Sequence, residues 1–207
     1  MDNRNKIILD ICGGTGSWSR PYKEAGYDVR LITLPEYDVF TYEPPENVYG
    51  ILAAPTCTHF SFCRTNAKDP RDLEEAMRLV KRCLEIIWQA QYNLPNKNSK
   101  VTNLKFWALE NPHGFLKYFL GKPHLEFSPY DYGNPYKKRT HIWGYFNIPP
   151  KTPVECNVDK FDKTLMEDLP PLPEGFIYDK RCGLTVRGVR RSITPPGFAH
   201  AFYAANK

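Results

Sequence analysis

Short apolar segments recur along the first three quarters of the chain, and most of them end at a glycine, a proline or an acid. Residues 6–10, 27–32, 48–54 and 106–109 are rich in β-branched and aliphatic side chains, and residues 140–143 have a similar character. Apolar runs of this length, bounded by turn-forming residues, are typical of buried β-strands. The pattern therefore predicts five strands.

The spacing of apolar residues changes to that of a helix after the third predicted strand. Asp69 and Pro70 suit a helix N-cap and first turn. The apolar positions that follow are Leu73, Met77, Val80, Leu84 and Ile87. This spacing predicts an amphipathic helix of about five turns. A second helix is expected between residue 17 and about Gly26, and residues 194–205 suit a turn followed by a short helix.

The alternation of strands and helices predicts the fold class. A glycine-rich turn after the first strand and helices between later strands favour an α/β fold, with a mostly parallel sheet and helices on both faces. Ligands of such sheets bind beyond the carboxyl ends of the strands. Asp10, Pro55 to Cys57, and Glu110 all lie at predicted strand ends. We therefore expect these polar residues to meet at one edge of the sheet.

Length and composition set the broad class of protein. The 207 residues are enough for one domain with a sizeable core, and 42% hydrophobic and 25% charged residues argue against global disorder. No apolar stretch approaches the roughly 18 residues of a membrane span. The first residues lack the apolar core and cleavage site of a signal peptide. We therefore expect no membrane segment and a cytoplasmic location.

The charge balance permits a polyanionic partner without requiring one. The formal net charge is +5, from 28 Lys and Arg against 23 Asp and Glu. Basic residues cluster in two places. These are Lys137, Lys138 and Arg139 in one block and Arg187, Arg190 and Arg191 in the other.

The six cysteines contain no C-x-x-C pair, so neither a structural zinc site nor a disulfide framework is predicted. We expect reduced thiols and no bound metal. Cys57, just past a predicted strand and near Arg64, is in a position that favours a depressed pKa. A single cysteine at such a place is more often an inert, half-buried thiol, so Cys57 gains weight only from its neighbours.

Five sequence blocks together resemble the DNA cytosine-5 methyltransferases. They are residues 10–17 (D-I-C-G-G-T-G-S), Pro55-Thr56-Cys57 with Phe60-Ser61, Glu110-Asn111-Pro112, residues 131–144, and residues 191–199. The blocks occur in the order and spacing of that family and span nearly the whole chain. The resemblance implies a Rossmann-like S-adenosylmethionine-dependent methyltransferase fold, S-adenosyl-L-methionine as cofactor and DNA as partner.

The resemblance assigns three catalytic residues. Cys57 matches the nucleophile that attacks carbon 6 of a flipped-out cytosine, and Glu110 matches the acid that holds ring nitrogen 3 and the exocyclic amine. Either Lys138 or Arg139 matches the cation of the catalytic pocket. Arg139 is favoured because a guanidinium makes a forked contact to a base or phosphate.

The resemblance also assigns binding residues. Those expected to hold the cofactor are Asp10, Gly14, Thr15, Gly16, Ser17, Glu36, Asp38, Pro55, Ser192 and Thr194. Those expected to contact nucleic acid are Ser61, Arg64, Lys137, Lys138, Arg187, Arg190 and Arg191. Three positions depart from the family pattern, because Thr56, Thr58 and Ser192 stand where proline, glutamine and asparagine are usual.

The largest departure is the size of the region that chooses the target sequence. Residues 1–146 are expected to form the catalytic and cofactor-binding unit, and residues 187–207 to pack back on it. Only a short proline-rich insert, residues 147–186, remains for target recognition. We therefore expect a relaxed specificity or a protein partner that supplies it, and a monomeric enzyme. Two alternatives stay open: the same chemistry on RNA, a free nucleotide or with another donated group, and a catalytically weak cofactor- or DNA-binding module.

Overall fold

A six-stranded mixed sheet forms the centre of the computed structural model, which describes residues 2–65, 67–92, 103–156, 169–174, 176 and 185–207. The strands are β1 (Ile7–Ile11), β2 (Asp28–Ile32), β3 (Val48–Ala53), β4 (Phe106–Pro112), β5 (Leu125–Phe127) and β6 (Thr140–Tyr145). The helices are α1 (Arg20–Glu24), α2 (Leu73–Tyr92), α3 (Lys117–Leu120), α4 (Val186–Ser192) and α5 (Pro196–Ala205), with a 3₁₀ turn at Pro129–Asp131.

The strand order is β2-β1-β3-β4-β6-β5. The first four strands in this order run parallel, whereas β6 is antiparallel to β4 and β5 is antiparallel to β6. The strand β2 is added on one side of β1 and β3 on the other, so the order of strands reverses between β1 and β3. A crevice at such a switch point, outside the carboxyl ends of the strands, is where ligands bind in open α/β sheets.

Helices cover both faces of the sheet, as the alternation along β1 requires. Leu9 faces the core shared with α2, and Ile8 faces the core shared with α1 and α5. On the second face Tyr22, Phe198 and Phe202 are fully buried. Successive side chains of a strand point to opposite faces of the sheet. Because helices cover both faces here, both sets of side chains are buried, which explains the continuous hydrophobic runs in the sequence. The α/β prediction is confirmed.

The predicted elements agree with the structure in kind and differ at some boundaries. The amphipathic helix is present as α2, but its N-cap is Asp72, whose Oδ1 accepts a hydrogen bond from the Glu75 amide at 2.9 Å, so the prediction that Asp69 caps it is wrong. The helix expected between residues 17 and 26 is reduced to five residues in α1. The edge strand β5 has only three residues, too few for a recognisable pattern.

The proline-rich insert is described only in part. Residues 157–168, 175 and 177–184 lie outside the described part of the chain, and most of the predicted reduced recognition region falls there. Its first residues return to the sheet domain, because the Val154 amide donates to the Tyr130 carbonyl and the Tyr132 hydroxyl donates to the Pro149 carbonyl. The last segment packs through α5 against the sheet, where Phe198 stacks on Phe127 at 4.0 Å.

Candidate active site

Cys57 lies in a tight turn that follows β3. The Phe60 and Ser61 amides donate to the Cys57 carbonyl at 3.0 and 2.9 Å. The Phe60 side chain is completely buried, so it anchors the turn in the core beneath it. The position of the cysteine is therefore fixed by main-chain hydrogen bonds and by one aromatic anchor.

Two hydrogen bonds tie this turn to the end of the neighbouring strand β4. The Asn111 side chain donates to the Pro55 carbonyl at 2.9 Å, and the Phe115 amide donates to the Phe60 carbonyl at 2.9 Å. The two segments touch so closely that a Cβ atom on Gly114 would lie 2.1 Å from the Phe60 carbonyl oxygen. The loops that carry Cys57 and Glu110 therefore form one unit.

Glu110 pairs with Lys138 inside the site. The Lys138 Nζ atom lies 3.6 Å from Glu110 Oε1, and both side chains are largely buried, with 14% and 16% of their surface exposed. Lys138 precedes β6, and β6 is the antiparallel neighbour of β4. The sheet therefore brings the basic block of the sequence across the carboxylate.

The Cys57 thiol is held in its protonated form. Burial raises its pKa, the Glu110 carboxylate raises it further, and Lys138 and Arg191 oppose the increase. The depressed pKa expected from the sequence is therefore wrong, because desolvation outweighs the nearby cations. The opposing influences also show that Glu110, Lys138 and Arg191 all lie close enough to act on this sulfur.

Arg139 does not point toward Glu110. Its guanidinium pairs with Glu126, with Nη2 2.9 Å from Oε1, and the side chain is mostly exposed. The other oxygen of Glu126 lies 2.7 Å from His141 Nε2, so this carboxylate joins Arg139 to a buried imidazole. Of the two cations that the sequence left open, the structure places Lys138 beside the proposed catalytic acid.

The glycine loop after β1 is shaped by left-handed backbone angles. Gly14 and Gly16 have φ of 54° and 66°, which favour glycine, and Cys12 adopts φ of 57° between them and the strand. Gly13 leaves no room for a side chain, because a Cβ atom there would lie 2.3 Å from Asp10 Oδ1. The loop therefore turns directly over the Asp10 carboxylate.

Asp10 is completely buried beneath this loop. Its Oδ2 accepts a hydrogen bond from the Ser19 hydroxyl at 2.5 Å, and desolvation raises its pKa to about 6 in spite of that bond. Its Oδ1 has no hydrogen-bond partner in the part of the chain that the structure describes. A buried carboxylate with a free oxygen is expensive to maintain, which is typical of a site built for function.

The rim of the glycine loop offers polar groups to a ligand. The Thr15 and Ser17 hydroxyls lie 2.5 Å apart and are half-buried, and the space in front of the Gly14 α-carbon is open. These hydroxyls and the open backbone at Gly14 fit the charged amino-acid end of S-adenosylmethionine, while the buried Asp10 carboxylate supports the loop from below. The loop lies at the carboxyl end of β1, where the order of strands reverses.

The remaining predicted cofactor residues are spread around the same edge. Glu36 and Asp38 are exposed, and Asp38 Oδ1 accepts a hydrogen bond from the Phe40 amide at 2.9 Å. A cavity of about 400 Å³ opens between β2 and the segment that follows it, and Tyr37, which lies between Glu36 and Asp38, is part of its lining. Ser192 is exposed and its hydroxyl donates to the Val189 carbonyl, which closes α4, while Thr194 is half-buried.

The residues predicted to contact nucleic acid differ in their contacts with the rest of the protein. Arg190 donates to the Leu169 and Pro170 carbonyls, so its guanidinium fastens the described part of the insert. The Ser61 hydroxyl accepts a hydrogen bond from the Cys63 amide at 3.2 Å, next to the half-buried Arg64. The structure brings Lys138 and Arg191 to Cys57, and Lys137 and Arg187 lie on the same two segments.

Sequence reasoning missed two residues that hold the site together. Asn111 lies inside the Glu110-Asn111-Pro112 block, yet only its complete burial and its bond to Pro55 show that it positions the cysteine turn. Gly114 has no signal in the sequence other than being a glycine two residues after that block. Its role depends on the close approach of a second loop, which a local pattern does not encode.

Comparisons with known proteins add little to this geometry. No protein-family model and no curated protein matches the chain. Among solved structures, the chain is similar to a Spodoptera frugiperda DNMT2 E260A/E261A/K263A mutant, with a TM-score of 0.37 and 17% sequence identity. The similarity covers 75% of this chain and 56% of that one, so the chain spans little more than half the length of that protein.

No helix in the described part of the chain is long and apolar enough to cross a membrane. No cluster of three or more histidine, cysteine, aspartate or glutamate side chains with the geometry of a metal site was found in the described ranges.

Proposed function

We propose that this chain is an S-adenosylmethionine-dependent methyltransferase that modifies carbon 5 of cytosine in DNA through a covalent bond to Cys57. The observation that carries the proposal is the convergence of Cys57, Glu110 and Lys138 at one edge of the sheet, beside a glycine loop with an unpaired buried carboxylate. The resemblance of the five sequence blocks supports it independently.

The roles of the two central residues follow from the chemistry of the pyrimidine ring. The Cys57 thiol passes its proton to solvent, and the resulting thiolate adds to carbon 6, which breaks the 5,6 double bond and makes carbon 5 electron-rich. Glu110 holds ring nitrogen 3, where negative charge would otherwise develop. After carbon 5 has gained the methyl group, water takes the proton of carbon 5 and the sulfur leaves as the thiolate, which restores the aromatic ring. The cofactor, when bound, supplies that methyl group.

Lys138 replaces Arg139 as the proposed cation of the pocket. The Lys138 ammonium lies 3.6 Å from Glu110, and its charge opposes the rise in the pKa of Cys57, which lowers the cost of the thiolate. Arg139, paired with Glu126 on the exposed side, is proposed to contact the backbone of the nucleic acid instead. The two roles are proposed from the pairing of each cation, because Lys138 faces Glu110 and Arg139 faces Glu126.

The cofactor is proposed to bind across the switch point between β1 and β3. Thr15 and Ser17 would hold its amino-acid end, with Asp10 fixing the glycine loop beneath them, and the exposed carboxylates Glu36 and Asp38 would reach its nucleoside. Pro55, buried at the end of β3, would line the floor between them. We keep Ser192 and Thr194 as proposed contacts from the C-terminal segment.

The target enters as a flipped-out base, because Cys57 lies in a turn below the rim of the site and a stacked base does not reach it. Ser61, Arg64, Lys137, Arg187 and Arg191 are proposed contacts to the phosphate backbone, with Arg190 acting through the insert. The proposal retains a cytoplasmic monomer of three segments, whose short insert leaves sequence specificity relaxed or dependent on a protein partner.

The test compares Cys57→Ala with Cys63→Ala, because Cys63 is an exposed cysteine six residues away. Each variant is incubated with radiolabelled S-adenosylmethionine and with DNA, RNA or free cytidine nucleotides, and the labelled product is identified. We expect methylated carbon 5 of cytosine in DNA for the wild type and for Cys63→Ala, and none for Cys57→Ala. Full activity of Cys57→Ala would rule out the covalent mechanism, and label in RNA or nucleotides alone would replace DNA as acceptor.

A further inference from the structure

An aromatic and cationic patch lies directly beside the Cys57 turn and takes no part in the chemistry described above. We define this patch as Phe62, His113, Phe115, Lys117 and Tyr118. Its members come from the loop after β3 and from the segment after β4, so the patch lies at the same edge of the sheet as Cys57 and Glu110.

The rings of the patch form a continuous cluster. Phe62 contacts Phe115 edge-to-face at 4.8 Å and His113 at 5.0 Å, and Phe115 lies 6.1 Å from Tyr118. The Tyr118 side chain is 69% exposed, which is unusual for an aromatic ring that continues a packed cluster. The rings below are thus held in place, and the outermost one presents a free face.

Cations border the rings. The Lys117 ammonium lies 5.6 Å from the Phe62 ring and 5.1 Å from the Tyr118 ring, and the Arg71 guanidinium lies 5.1 Å from Phe115. Arg139 lies close enough to act on the pKa of His113, which burial lowers first and which Arg139, His141 and Lys117 lower further, against Glu126. A face that combines open rings with positive charge is complementary to bases joined by phosphates.

We propose that this patch binds unpaired nucleotides next to the target cytosine, so that the substrate of the enzyme is a single-stranded segment of nucleic acid. An exposed ring stacks only on a base whose face is open, and a paired and stacked duplex offers none. Lys117 would contact the phosphate between the stacked base and the target. The proposal rests on the proposed function for the identity of the target in the neighbouring pocket.

The test measures binding separately from transfer. Fluorescence anisotropy is recorded with the full chain and a labelled single strand of about 12 nucleotides, in DNA and RNA forms, and with the blunt-ended duplex made by annealing each strand to its complement. We expect Tyr118→Ala to weaken binding of the single strand about tenfold while binding of the blunt-ended duplex stays unchanged. Tyr118→Phe retains the ring and should retain the affinity. Lys117→Gln should lower the slope of log affinity against log salt by about one.

The matched control is Tyr145→Ala. Tyr145 is 72% exposed, but it pairs with Trp107 at the start of β4 and thus lies at the opposite edge of the sheet. Equal effects of Tyr118→Ala and Tyr145→Ala, or equal loss of affinity for the blunt-ended duplex and the single strand, would overturn the inference. The DNA and RNA arms decide which single strand is preferred.

The outcome is independent of whether methyl transfer is found. Loss of single-strand binding in Tyr118→Ala without any transfer by the wild type would support the patch and reject the proposed function. Methyl transfer that depends on Cys57, together with unchanged single-strand binding in Tyr118→Ala, would support the proposed function and reject the role of the patch. Unchanged nucleic-acid binding combined with a new protein complex lost in Tyr118→Ala would identify the patch as a protein-docking surface and reject the inference.

Discussion

The Lys138 ammonium faces Glu110 at 3.6 Å, and this pair lies beside the Cys57 sulfur. Its neighbour in the sequence, Arg139, faces the opposite way and pairs with Glu126. The two residues immediately precede β6 and face different carboxylates, so one basic block serves both. The distinction between the two cations gives the first prediction.

Replacement of Lys138 should damage methyl transfer far more than replacement of Arg139. We expect Lys138→Met to lower kcat by about 100-fold, since it leaves a buried carboxylate unpaired and removes a cation from the thiol. Arg139→Met should mainly raise KM, because it removes an exposed contact to the substrate backbone. Single-turnover assays at saturating substrate separate the two effects, and a larger kcat defect in Arg139→Met would reverse the assignment.

The reactivity of Cys57 should respond to its two charged neighbours in opposite directions. Glu110 raises the pKa of Cys57, so Glu110→Gln lowers that pKa and should speed alkylation by iodoacetamide at neutral pH. Lys138 lowers the same pKa, so Lys138→Met should slow alkylation. Each unit of pKa changes the thiolate fraction about tenfold. The rate is followed by mass spectrometry of the Cys57 peptide, with the Cys63 peptide as internal control, and equal rates in the variants would contradict the geometry.

The stability of the fold should depend on pH through Asp10. Its pKa is raised by burial to about 6, so the native state binds this proton more tightly than the unfolded chain does. The contribution is complete below about pH 4, is lost as the pH rises through about 6, and amounts to about 3 kcal/mol. Urea unfolding of the wild type should show this fall, and Asp10→Asn should lack it.

A second variant checks the cause of that dependence. The Ser19 hydroxyl donates to Asp10 and lowers its pKa, so Ser19→Ala should extend the fall in stability to a higher pH. Parallel curves for the wild type, Asp10→Asn and Ser19→Ala would show that another group titrates in this window.

Loss of the Asn111 side chain should uncouple the cysteine turn from β4. Asn111→Ala removes the donor to the buried Pro55 carbonyl and should cost about 1–3 kcal/mol of stability together with most of the activity. The control is Asn3→Ala, which removes a comparable bond to the Ala25 carbonyl far from the site. Asn3→Ala should lose stability without loss of kcat per folded molecule. Equal activity losses in both variants would show that Asn111 acts only through general stability.

The strands and the main helix could be predicted from local patterns. A strand that is buried on both faces has a continuous apolar run, and a helix that is buried on one face has apolar residues at helical spacing. The run before Asp10 becomes β1, and the spacing from Leu73 to Ile87 becomes α2. The three-residue strand β5 leaves no such trace, since its pairing with β6 depends on a partner elsewhere in the chain. The N-cap of α2 was misplaced because Asp69 and Asp72 are both suitable caps, and packing chooses between them.

By itself, the sequence determined that polar residues lie at the carboxyl ends of buried strands, and parallel pairing then requires these to meet at one edge. In the structure Asp10 and Glu110 lie inside β1 and β4 near their ends, and Cys57 follows β3. Only the tertiary structure decided which cation faces Glu110, that Asn111 fastens the cysteine turn, and that the Cys57 thiol is protonated. The reason is physical. Whether a residue lies at the end of a strand depends on its neighbours in the sequence. Side-chain pairing, desolvation and the electrostatic influence on the pKa of Cys57 depend on segments that are far apart in the chain.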